Sequence, residues 1–216
     1  MKSNDFTEAA IANNPAWAQL LGLCPLLAVS STVANATGLA LASAFVVVGS
    51  NTSISLLRRI IPDTARLPCF VLIIATFTTL TVMLLEAYAF DLYSRIALFV
   101  QIIVTNCMIL GRAEMFASRQ PVGRALMDAL GTAVGFTLAL LALGAVREVL
   151  GQGTLMADMD LLFGPAATVL ELQIFAVPPL ALALLPPGAF ILAGLLFALV
   201  RGLGRTTRDT RAHAEQ

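Results

Sequence analysis

From Ala9 to Leu57 the chain carries no charged residue. A membrane-spanning helix needs roughly 20 mostly apolar residues, so this run predicts two spans. Asn35-Ala36-Thr37-Gly38 has the composition of a tight turn and falls between them. The first span then covers about 15–34 and the second about 38–57. The apolar pattern resumes over about 67–89, from about 93 past 107, over about 122–146 and over about 174–200. The pattern predicts an all-α integral membrane protein with six transmembrane helices, one domain over 1–216.

Composition agrees. Of 216 residues, 58% are hydrophobic and 12% charged, against about a quarter charged in soluble domains. Mean hydropathy is +0.88. Net charge is zero with one His, which gives a nucleic-acid role no electrostatic basis. The polar, mixed-charge start, Met1-Lys2-Ser3-Asn4-Asp5, lacks the pattern of a cleaved signal peptide.

Basic residues orient the spans. With the N-terminus inside, the inner segments hold Lys2, Arg58, Arg59, Arg66, Arg112, Arg119, Arg124, Arg201, Arg205, Arg208 and Arg211. Only Arg95 and Arg147 fall outside. The positive-inside rule then places both termini in the cytoplasm. Residues 148–171 become one long outer loop, turned by Gly151, Gly153, Gly164 and Pro165.

Spans one to three and four to six read as two copies of one unit, about 13–92 and 93–203. Three is odd, so the second copy is inverted. Inverted repeats bring interrupted helices together near the midplane. Helices one and four are the interrupted ones, and each carries a cysteine. Cys24 precedes Pro25, which is expected to break or kink helix one. Cys107 follows Thr105-Asn106 and precedes Gly111. Arg95 and Arg119 each lie twelve residues from Cys107, about 18 Å along an α-helix, which puts that thiol near mid-depth.

Two thiols at one depth are half of a four-thiolate iron–sulfur site. Packing is the competing use, because free cysteine is a small, commonly buried hydrophobe. A disulfide between them is a third. Zinc fits poorly, since the lone His213 is in the tail. Cys69, at the edge of span three, has no counterpart in the other half and reads as structural.

Arg112 and Glu114 follow Cys107 at the membrane edge. Ionisable groups there are candidates for ion coupling; a snorkelling Arg beside a surface carboxylate is the alternative. Asp128 and Glu86 are weaker candidates at span ends. Gly131 and Gly135 form a small-xxx-small pair suited to close helix packing.

Asn13–Val29, including Leu23-Cys24-Pro25-Leu26-Leu27, resembles the E-type family of Rnf-type ion-translocating electron transport complexes. So do Val104–Ser118, Val146–Leu155 and Leu184–Phe190. The D-type member of the sodium-pumping NADH:quinone reductase shares the cysteine motifs. The resemblance covers almost the whole chain; departures such as Ser30-Ser31, Met108 and Met115 touch neither cysteine.

The resemblance implies a bacterial inner-membrane protein paired with a homologous six-helix A-type partner of opposite orientation. Two cysteines from each, here Cys24 and Cys107, would hold an intramembrane [2Fe-2S] cluster. The cluster would relay electrons between flavin and iron–sulfur centres on other subunits, in a ferredoxin:NAD oxidoreductase that moves Na⁺ or H⁺. This chain would take no part in hydride transfer. The competing reading is an inverted-repeat transporter, or a scaffold protein, without a redox centre.

Overall fold

A computed structural model describes residues 19–88, 90–155, 172–173 and 185–214. The described helices are α1 (Leu23–Val29), α2 (Val33–Leu57), α3 (Arg66–Tyr88), α4 (Phe90–Gln101), α5 (Cys107–Arg112), α6 (Val122–Gly151) and α7 (Pro186–Ala214). A 3₁₀ turn at Ile102–Thr105 joins α4 to α5, and a π turn at Ala113–Ala117 follows α5. The described strands are one antiparallel pair, Thr154–Leu155 against Leu172–Gln173. The fold is that of a helical membrane protein.

Among the described residues four segments are long and apolar enough to cross a membrane: Val33–Leu57, Arg66–Tyr88, Phe99–Ala117 and Val122–Gly151. They match the expected spans two to five. Span one is different. Its residues 15–18 lie outside the described residues, and its described helix is only the seven-residue α1. Part of span six, 174–184, also lies outside them. Its helix begins at Pro186, as expected where consecutive prolines disfavour a helical residue before them, and runs on to Ala214.

The turn between the first two helices is at Ser30–Thr32, not at 35–38. Thr32 is extended and its hydroxyl accepts from the Asn35 N–H at 3.3 Å, a helix N-cap. Asn35-Ala36-Thr37-Gly38 is therefore the first turn and a half of α2. Its small residues serve packing: a Cβ on Gly144 of α6 would lie 3.2 Å from the Ala36 Cβ.

Helices α2 and α6 run antiparallel as the central pair. Val33 meets Glu148 at one end, and the Ser55 hydroxyl donates to the Gln120 carbonyl at the other. Gly131 and Gly135 are both buried, as close packing requires. Around this pair the core collects Leu26 of α1, Ile74 of α3, Val100 of α4, Met108 of α5 and Ala193 of α7. Helix α3 buries one stripe, Phe70, Ile74, Thr78 and Thr81, at helical spacing. Its other faces expose Leu67, Leu72, Leu80 and Met83, which suits lipid or a neighbouring polypeptide.

Candidate functional site

The break in the first half of the chain lies before Cys24, not at Pro25. Leu20 and Gly22 take positive φ of 54° and 78°, and α1 starts immediately after. Pro25 is the third residue of α1. Its missing N–H would have had no intrahelical partner there, and the carbonyl four residues back is not helical, so no kink results.

The break before Cys107 is at Asn106. Its extended backbone (φ −66°, ψ 114°) ends the 3₁₀ turn. Its side chain accepts from the Met108 N–H at 3.0 Å, capping α5. Cys107 is the first residue of α5. The segment from Arg95 to Arg119 thus passes through α, 3₁₀, extended, α and π backbone. The uniform 18 Å rise expected on either side of Cys107 does not apply.

Gly22 joins the two breaks. A Cβ there would lie 3.3 Å from Asn106 Oδ1, 3.3 Å from Met108 Cβ and 3.1 Å from Phe136 Cε2. The residue two before Cys24 thus packs on both neighbours of Cys107. Leu21 reaches further along α5, with its Cδ1 3.6 Å from where a Gly111 Cβ would stand. Both thiols are free and exposed at the protein surface, while Cys69 is half-buried. Packing against the chain's own core, the competing use of Cys24 and Cys107, is not what this structure gives them.

Two charges hold the turn between α1 and α2 from across the molecule. Arg147 and Glu148, 2% and 0% exposed, lie one turn before the end of α6. Arg147 Nη1 donates to the Leu27 carbonyl at 2.8 Å and to Ser30 Oγ at 3.0 Å. Ser30 Oγ in turn donates to the Leu26 carbonyl at 2.5 Å. Glu148 Oε2 accepts from the Val33 N–H at 2.7 Å. The last carbonyls of α1 and the first N–H of α2 have no helical partners of their own. A cation serves the first and an anion the second, in keeping with the helix dipole.

The hydropathy pattern alone places both residues outside span five, in or beside an outer loop. Helix α6 instead continues to Gly151 and stops at Gly153, whose φ is 72° and whose N–H meets the Glu148 and Val149 carbonyls. The available signal is an Arg-Glu dipeptide bordering an apolar run, which marks an ionisable group within the membrane.

Arg112 and Glu114 have different partners. Two residues apart on a helix, they face different sides. Arg112 forms a buried ion pair with Asp128 of α6, its Nε donating to Oδ2 at 3.1 Å and its Nη2 to Oδ1, and Phe116 lies 5.7 Å from the guanidinium. Asp128 is therefore a buried partner and not a span-end charge. Glu114 Oε1 lies 3.9 Å from Arg66 Nη2 in a partly exposed pair. Glu86 is exposed on α3. Beside α1, a pocket of about 420 Å³ is walled by Leu23, Cys24, Leu27, Arg147, Pro186 and Phe190.

Among the described residues no group of three or more His, Cys, Asp and Glu side chains is placed to hold a metal ion. Two exposed thiols on facing breaks are the donor set available. Thiolate is the donor type an iron–sulfur cluster takes, and these two are exposed.

A model of the Rnf-Nqr family, described as membrane proteins, matches residues 3–197. The chain is 52% identical over 187 residues to the E component of the ion-translocating oxidoreductase complex of Pseudoalteromonas atlantica, covering 86% of this chain and 81% of the relative. Identity to the corresponding protein of Pseudomonas paraeruginosa is 51% over 204 residues, covering 94% and 85%. For Vibrio atlanticus it is 54% over 189 residues, covering 87% and 82%.

Proposed function

Because the chain belongs to the Rnf-Nqr family of membrane proteins, we propose that it is the E-type electron-transfer component of an ion-translocating oxidoreductase complex. Cys24 and Cys107 supply two of the four thiolates of an intramembrane [2Fe-2S] cluster. The other two come from a homologous six-helix partner of opposite orientation. When bound, such a cluster accepts and releases one electron at a time. This chain's residues place the two thiols, shape the breaks that carry them and close their inner side with core.

The observation that carries the reading is the packing of Gly22 on Asn106 and Met108, with both neighbouring thiols turned outward. A thiol pair used for packing would face inward. A pair shared with another polypeptide must face the surface.

The matched breaks also support six spans as two inverted three-helix repeats, about 13–92 and 93–203. The distribution of basic residues supports both termini on the cytoplasmic face of an inner membrane. The complex couples electron flow to movement of Na⁺ or H⁺. Cytoplasmic and membrane proteins bearing flavins and further iron–sulfur centres are its other partners.

Electron paramagnetic resonance of the purified, reduced complex tests the reading. Cys24→Ser and Cys107→Ser each abolish the intramembrane cluster signal and stop electron flow; Cys69→Ser leaves both nearly unchanged. A normal signal in either of the first two variants overturns the ligand assignment and leaves a transporter or scaffold role. Loss in the third means that Cys69 belongs to the ligand set and the assigned pair is wrong.

A further inference from the structure

We propose that the turn after α2 and the turn before α6 together form a binding site for an anionic phospholipid: Arg58, Arg59 and Arg119 receive its phosphate, and Leu56, Ile60 and Leu126 lie along its chains. Nothing in this site involves the cysteines, so it stands or falls apart from the cluster.

Positive charge is concentrated at this corner and is not cancelled there. Residues 58–66 and 112–128 hold six arginines, Arg58, Arg59, Arg66, Arg112, Arg119 and Arg124, against Asp63, Glu114 and Asp128. Glu114 lies 3.9 Å from Arg66, and Asp128 pairs with Arg112. Arg58, Arg59 and Arg119 have no carboxylate partner among the described residues. The fold also draws these cations together. Arg58 Nη1 donates to the Arg119 carbonyl at 3.2 Å, and Ser55 Oγ donates to the Gln120 carbonyl at 2.7 Å. A cation at the end of α2 complements the helix dipole, yet Arg58 aims its donor at the other turn. Like charges on adjoining turns repel one another, and an anion seated among them relieves that repulsion.

Exposed apolar side chains border the cations. Leu56 and Ile60 are 69% and 79% exposed and flank Arg58 and Arg59 in sequence. Leu126, also exposed, lies in the second turn of α6. Leu56 and Leu126 belong to helices long and apolar enough to cross a membrane, so two spans leave the hydrocarbon at this corner. Guanidinium groups beside exposed hydrocarbon complement a lipid that joins a phosphate to acyl chains. Arginine suits the phosphate because its planar fork can hold two oxygens at once. A free phosphate would meet only the cations. Basic clusters where spans meet the headgroup layer attract anionic lipid in this way.

The test is thermal unfolding of the full chain, purified in detergent with the polypeptides it assembles with. Dioleoyl phosphatidylglycerol, dioleoyl phosphatidylcholine and glycerol 3-phosphate are titrated separately. A ligand of the folded state raises the melting point with its concentration. Each arginine near a charged lipid surface is worth about fivefold in affinity. Phosphatidylglycerol should therefore act at a concentration at least about fivefold below phosphatidylcholine, and glycerol 3-phosphate should have no effect. Arg58→Gln, which keeps an N–H for the Arg119 carbonyl, and Arg119→Gln should each raise the half-saturating phosphatidylglycerol concentration about fivefold. Arg58→Lys and Arg119→Lys should leave it near wild type. Equal action of the two lipids overturns the proposal. So does an equal effect of glycerol 3-phosphate, which marks a free-anion site, or a phosphatidylglycerol preference that survives both Gln substitutions together. Loss of another polypeptide from that double variant, with the lipid preference intact, assigns the corner to a protein partner and overturns it likewise. Should the Gln variants fail to assemble, a photoreactive phosphatidylglycerol on the wild type decides. Adducts concentrated in 55–60 and 119–126 support the site, and adducts spread evenly along the spans overturn it.

Discussion

Gly22→Ala is the smallest change expected to disturb both breaks at once. Two penalties act on it. Gly22 has φ of +78°, a left-handed conformation that disfavours any L side chain by about 1–2 kcal/mol. The added methyl would also stand 3.1–3.3 Å from Phe136, Asn106 and Met108, and overpacking of this kind costs typically about 1–3 kcal/mol. Asn106 Oδ1 has little freedom to retreat, because it holds the Met108 N–H. The two terms together are about 2–5 kcal/mol, a large share of the roughly 5–15 kcal/mol that stabilises a folded domain. The assay is thermal unfolding of the detergent-solubilised complex, with the signal of the proposed cluster recorded on the same samples. Gly111→Ala is the matched control: it sits near the same junction, but its added Cβ meets Leu21 and Met115 at 3.6–3.7 Å, ordinary contact distance. Gly22→Ala should melt well below the control and show a diminished or altered signal. Equal melting of the two variants would refute the reasoning that Gly22 locks the breaks together.

Arg112→Ala or Asp128→Asn alone strands half of a buried ion pair and should destabilise the protein by about 3–5 kcal/mol, seen as lost assembly or a lowered melting point. Arg112→Leu with Asp128→Leu should be more stable than either single variant; if it is worse, the pair does more than satisfy itself. Glu114→Gln loses only a partly exposed contact at 3.9 Å and should change stability by less than about 1 kcal/mol, so altered ion movement with normal assembly in this variant would mark a coupling role. Thr32→Ala removes the cap of α2 and should cost about 1 kcal/mol, measured by the same thermal assay. Reporter fusions at Gln216 and within 155–165 should report opposite sides of the membrane, the first cytoplasmic; a periplasmic C-terminus would reverse the proposed orientation.

The apolar runs make the central spans legible, because a lipid environment leaves a chain few choices besides long helices. Cys24 and Cys107 stand out because each sits beside a polar or proline interruption of such a run. Where the interruptions fall is harder to read. Pro25 suggests a kink, yet a proline in the first turn of a helix is well accommodated, and the reversal depends on Gly22 instead. Asn35–Gly38 has turn composition, yet its small residues are there for the close approach of α6 at Gly144. Both outcomes depend on partners far away in sequence, Asn106, Met108 and Phe136 for Gly22 and Gly144 for Ala36. The roles of Arg147, Glu148 and Asp128 are hidden likewise. A charge near a span end reads as surface until the opposite element is known to bring it an unpartnered backbone group or a counter-ion.

The clamp on the turn between α1 and α2 has a consequence for the order of events during biosynthesis. Arg147 and Glu148 join to Leu27, Ser30 and Val33 across separations of 115–120 residues. A ribosome adding about 5–20 residues per second needs roughly 6–24 s to bridge that gap. Through that interval α1 has emerged but lacks the two side chains that anchor the turn joining it to α2. The nascent Cys24 segment is therefore fixed in its final pose only after α6 has been made. A truncated product ending before Arg147 carries Cys24 on a helix whose C-terminal turn is without this anchor.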